Sequence, residues 1–209
     1  MTFAIHGRSR RVDRLIEQHR SALEELWGQP KLKEPIVFLL DSREDISRIR
    51  DATTDKKLVG WFWKDRFVFI LKPERLEKES DRLTSDFDAV LGHELSHYYF
   101  SMMTGGSAAW LDEGLACVFA DQEYKDAKTT KQQIKKMLRC YFDFDRSLFG
   151  ASWACVNGLV DHFGKKSVIT FLRGQKNQPR NPDEFARSFK KHFGIDYSID
   201  GVLSVIRNK

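Results

Sequence analysis

The segment Leu91-Gly92-His93-Glu94-Leu95-Ser96-His97-Tyr98-Tyr99-Phe100 constrains the fold of this chain more than any other stretch. Phe87, Val90 and Leu91 lead into its histidines, and Tyr98, Tyr99, Phe100, Met102 and Met103 follow them. A helix apolar on this much of its surface has to be packed on several sides, so other elements must gather round it. Such a helix also takes two imidazoles and a carboxylate into its surroundings. Burying those groups is costly unless something compensates them, and a metal ion is the most economical partner.

The spacing fits that reading. Residues i and i+4 of a helix lie one turn apart on the same side, with Cβ atoms about 6 Å apart. His93 and His97 can therefore aim two ring nitrogens at one point, each roughly 2.0–2.1 Å from a zinc ion. Glu94 sits one step round the helix, off the ligand line but within reach of a water at the metal. H-E-x-x-H is a zinc hydrolase signature in which this glutamate is the general base.

A catalytic zinc needs three protein ligands and one open position. Gly105-Gly106 ends the histidine helix and offers a reversal. The next helical pattern then carries Trp110-Leu111-Asp112-Glu113-Gly114-Leu115-Ala116. Both Asp112 and Glu113 have small one-turn neighbours, and helical geometry alone does not choose between them as third ligand.

H-E-L-S-H followed by W-L-D-E-G-L-A resembles the gluzincin metallopeptidases, in particular the small cytoplasmic-type members of the MA clan. The resemblance implies His93, His97 and Glu113 as ligands of a single zinc ion, Glu94 as general base, and a peptide or protein as substrate. It extends more loosely from about Pro35 to Ile206, through Ser152-Trp153-Ala154 and Phe185-Ala186-Arg187-Ser188-Phe189, where only helical pattern is shared. Two positions depart from the family. Phe149 stands where a tyrosine able to hold an oxyanion is expected, leaving Tyr141, Tyr124 or His162 as substitutes. Cys117 stands where some members carry an aspartate that orients a ligating histidine.

Around this centre the sequence predicts an α+β fold. Val12, Leu15, Ile16, His19, Leu23, Leu26 and Trp27 recur at helical spacing until Gly28 and Pro30. Pro35 to Leu40 reads as a short buried strand, and Ser42 as the cap of a helix running to Arg50. Leu58–Trp63 and Phe67–Leu71 flank Lys64-Asp65-Arg66 as a hairpin. Phe67–Leu71 is a candidate sheet edge for an extended peptide, or else core. Lys72 to Thr84 reads as a charged, solvated loop, and Ser85 as the cap of the histidine helix.

Helices are predicted over 108–121, 130–142, 151–163, 165–172, from Asn181-Pro182, and over 198–206. The expected organisation is a zincin-like subdomain over 1–125, with its small sheet and hairpin packed on the histidine helix. An all-helical subdomain over 126–209 follows it.

Composition narrows the function classes. Of 209 residues, 35 are basic and 30 acidic, and the resulting +5 is spread along the chain. A nucleic-acid binder concentrates its charge on one face or tail, so nucleic-acid binding is not expected. No segment is long and apolar enough for a membrane span, and MTFAIHGRSRR has no signal-peptide core. Cys117, Cys140 and Cys155 lie in apolar helical patterns and read as reduced, buried thiols of a cytoplasmic protein. The expected activity is peptide-bond hydrolysis by a zinc-activated water. The competing expectation is a catalytically weak or inactive zinc-binding module that recognises a peptide or partner.

Overall fold

The computed structural model describes residues 10–106, 108–122, 129–139, 145–175 and 181–206. It is a mixed α+β structure with one small sheet and many helices. The chain divides into two compact units, Met1–Tyr99 and Phe100–Lys209, and the division falls inside one helix. The subdomain boundary expected at 125 and 126 lies outside the described residues.

In the first unit, α1 (Arg10–Leu26) leads to β1 (Ile36–Leu40) and α2 (Arg43–Arg50). The hairpin strands β2 (Gly60–Trp63) and β3 (Phe67–Leu71) follow, then α3 (Leu76–Glu79) and α4 (Phe87–Thr104). Ser42 caps α2 as expected, its side chain accepting the Asp45 N–H. Asp51 ends α2 at φ 49°, and its backbone N–H reaches back to the last turn.

The strand order is β1-β3-β2, with β1 parallel to β3 and β2 antiparallel to it. The hairpin is therefore as read from the sequence, but β3 is the central strand and not an edge. Its Val68, Ile70 and Leu71 are fully buried, as a strand paired on both sides requires. Among the described residues, β1 and β2 are the outer strands of the sheet.

The two faces of the sheet differ in chemistry. One presents Gly60 and Phe62 to α4, where the Phe62 ring meets Tyr98 at 6.1 Å. The other carries a cross-strand row in which Phe69 stacks on Phe38 at 4.9 Å and on Trp61 at 4.8 Å. Arg50, at the end of α2, lies over Trp61. Cross-strand aromatic pairs of this kind hold register as well as adding burial.

The segment expected to be a solvated loop is partly helical. Pro73–Arg75 forms a 3-10 turn that runs into α3, whose Leu76 is fully buried. Arg43 fastens this region, donating to the Leu58 carbonyl at 2.6 Å and to the Glu79 carbonyl at 2.6 Å. The entry to α4 also differs from expectation. Asp86, not Ser85, supplies the reach-back bond, accepting the Leu83 N–H at 3.0 Å.

The second unit is helical among its described residues. It comprises the end of α4, then α5 (Ala109–Phe119), α6 (Lys131–Arg139) and α7 (Phe149–Phe163). α8 (Lys165–Gly174), α9 (Pro182–Phe193) and α10 (Ile199–Ile206) complete it. Gly105 and Gly106 end α4 at φ 68° and 81°, the left-handed conformation that glycine adopts without strain. Asn181 caps α9 with Pro182 in its first turn, and Gly194 ends it at φ 70°. Phe171, Phe185, Phe189 and Phe193 form an aromatic core, with centroids from 4.8 to 6.1 Å apart.

Candidate metal centre

α4 is held in the first unit from two directions, and both holds lie beside the motif. Tyr98 donates its hydroxyl to the Lys33 carbonyl ahead of β1. Tyr99 points to α1, its hydroxyl 3.4 Å from Glu24 Oε1. Burial pushes the Tyr98 hydroxyl up to about 12, and burial with the nearby Glu24 charge raises Tyr99 further. Closer to the motif, the His19 ring of α1 lies against the α4 backbone at Gly92, and His19 Nε2 stands 2.6 Å from Asp88 Oδ1. The register of α4 is thereby fixed on both sides of His93.

On that helix His93 and Glu94 are buried and His97 is half-buried. The two imidazoles meet edge to face with centroids 4.7 Å apart, and their Nε2 atoms are 3.1 Å apart. Two nitrogens held tetrahedrally at 2.0–2.1 Å would stand about 3.3 Å apart, so the pair is close to the spacing that a zinc ion imposes.

Glu113 supplies the third donor of the set. One ligand atom from each of His93, His97 and Glu113 lies within 4.8 Å of the others. Two neutral imidazole nitrogens and one carboxylate oxygen are a donor set that suits zinc. The residues thus fit a metal ion in number, type and spacing. Asp112, left open by helical geometry, is not in this group.

Glu94 is turned towards the sheet. Its side chain lies against β2 at Gly60, where a Cβ would stand 3.1 Å from Glu94 Cγ and 3.4 Å from Oε1. The carboxylate is thus held against a strand, while His93 and His97 of the same helix belong to the donor set.

The positions that depart from the family pattern are also located. Phe149 begins α7, and His162 lies at the far end of that helix, its ring against Phe163. Tyr124 and Tyr141 lie outside the described residues, as does Cys140. Cys117 and Cys155 are buried thiols, and burial raises the Cys155 thiol well above its ordinary value.

The sequence reading missed Gly60, Gly92 and Gly114, which lie next to the motif residues in space or in sequence. A Cβ at Gly114 would meet the Ser152 carbonyl oxygen at 2.5 Å, so α5 approaches the α7 backbone directly after Glu113. Glycine inside a helix or strand is a signal for such close approach, but sequence does not name the neighbour. No described helix is long and apolar enough to cross a membrane. The sequence matches no protein-family model and no curated protein.

Proposed function

We propose that the chain is a zinc-dependent metallopeptidase of gluzincin type, acting on a peptide or protein substrate in the cytoplasm. The observation that carries this reading is the convergence of His93, His97 and Glu113 within 4.8 Å, with Glu94 beside them in the motif. His93, His97 and Glu113 would hold one zinc ion. Zinc bound there supplies a water of lowered pKa and polarises the carbonyl to be attacked.

The chain's own residues do the rest. Glu94 accepts the proton of the attacking water at a carboxylate oxygen and later gives it to the departing amine. Its low exposure keeps bulk water from competing for that proton. Nearby, β2 is an edge strand whose outer backbone groups can take an extended peptide as an added strand. That edge replaces Phe67–Leu71 as the candidate for substrate alignment.

A second reading keeps the zinc and drops the cleavage. It is favoured by Phe149, whose ring has no donor for an oxyanion where a tyrosine is expected. Retention of Glu94 argues the other way, because a purely structural site has no use for a carboxylate beside the water.

Two measurements decide. The zinc-to-protein ratio of the purified chain is expected near one, and to collapse in His97→Ala and in Glu113→Ala. A mixed peptide library is expected to be cut by wild type and spared by Glu94→Gln, a loss of at least about 100-fold for a general base. Equal behaviour of wild type and Glu94→Gln would leave a zinc-binding module without peptidase activity. A ratio near zero with zinc supplied would end both readings.

A further inference from the structure

We propose that Gly60 is a positioning residue for Glu94, its missing side chain being the space that the carboxylate occupies against β2. The inference rests on the reading of Glu94 as general base, but the contact itself is testable without any activity.

Glycine in a strand is unfavourable and calls for a reason. Conformation is not that reason here, because the φ of Gly60 lies outside the left-handed region. Space is the reason. Gly60 is buried, and a Cβ built on it would stand 3.1 Å from Glu94 Cγ and 3.4 Å from Oε1. The contact with Cγ is tighter than a carbon normally tolerates, and that with Oε1 is at the near limit of ordinary contact, so one side would have to give.

The sheet cannot give. On its other side the same Cβ would stand 3.1 Å from the Phe69 carbonyl oxygen, part of the β3 backbone. The strand is pinned immediately before Gly60 as well, where the Val59 carbonyl accepts the Leu71 N–H at 2.9 Å. The Glu94 side chain is the softer partner and would be displaced by a few tenths of an ångström. A general base acts only within hydrogen-bond reach of the proton it takes, so a displacement of that size falls on proton transfer and not on metal ligation.

The test is a double-mutant cycle on the full chain with Gly60→Ala, Glu94→Ala and the pair. Gly60→Ala is expected to lower the melting temperature by about 2–4 °C in the wild-type background. It is expected to lower it by less than half as much when Glu94→Ala has removed the opposing atoms. The zinc ratio should stay near one throughout, because no ligand is touched. Against the peptide library, Gly60→Ala should lower kcat about tenfold and leave KM within about twofold, since misplacement of a catalytic group acts on the chemical step.

Equal melting losses in the two backgrounds would overturn the proposal, because the new methyl would then be meeting only the sheet. If Gly60→Ala fails to fold, recovery of folding in the double variant supports the contact, and failure of both overturns it. An inactive wild type with intact melting coupling would sink the peptidase reading and leave the Gly60–Glu94 contact standing.

Discussion

Tyr98 follows His97 directly and spends its hydroxyl on structure, donating to the Lys33 carbonyl from a fully buried ring. Its ionisation is pushed from 10.0 up to about 12, chiefly by burial. The protonated phenol is therefore favoured in the folded state. Its stabilising effect is complete below pH 10 and disappears as pH rises towards 12, because the unfolded chain releases the proton first. A shift of this size corresponds to about 3 kcal/mol. The urea midpoint is expected to fall between pH 9.5 and about pH 11.5. Tyr98→Phe should cost about 1 kcal/mol near neutrality and flatten that fall. A wild-type midpoint indifferent to alkali, with tyrosine absorbance showing ionisation near 10, would contradict the assignment.

Helix placement turns on two glycines whose neighbours differ in stiffness. A Cβ at Gly92 would meet His19 Cε1 at 2.7 Å, the end of a side chain, although one tethered to Asp88. A Cβ at Gly114 would meet the Ser152 carbonyl oxygen and Val156 Cγ2, each at 2.5 Å, and the first of these is α7 backbone. Replacing an interior helical glycine by alanine gains roughly 1 kcal/mol of propensity, while forcing a methyl into packed surroundings costs roughly 1–3 kcal/mol. Gly92→Ala should therefore cost no more than about 2 kcal/mol, and His19→Ala in the same chain should bring out the propensity gain. Gly114→Ala should be the more damaging, since a backbone cannot swing aside. The order of the two melting temperatures checks this, and a milder Gly114→Ala would contradict it.

The same elements show what sequence can and cannot say. His93 and His97 were legible because helical geometry fixes their relation within five residues. The caps at Ser42 and Asn181 were legible for the same local reason. The central place of β3 was not, because it depends on β1 joining it in parallel across the intervening α2 and β2. α3 was hidden because one buried residue, Leu76, among charges gives no periodic signal. Gly60 opposite Glu94 is a meeting of residues far apart in the chain, and no local pattern announces it.

At the scale of the whole molecule, the donor set draws on two helices, α4 for His93 and His97 and α5 for Glu113. A ligand that binds only the folded chain stabilises it by mass action, by about 2.7 kcal/mol at a free concentration one hundred times Kd. For a chain of this size that is a rise in melting temperature of about 5–10 °C. Zinc is expected to produce such a rise after chelator treatment. His97→Ala and Glu113→Ala should each abolish most of it, because two remaining donors bind far more weakly. Glu94→Gln should keep it, because that carboxylate is assigned to the proton and not to the metal. This contrast separates ligation from catalysis without a substrate. A full rise in Glu113→Ala would move the third ligand elsewhere, with Asp112 the neighbouring carboxylate to test next. Loss of the rise in Glu94→Gln would make Glu94 a ligand, and the division of labour within H-E-L-S-H would have to be redrawn.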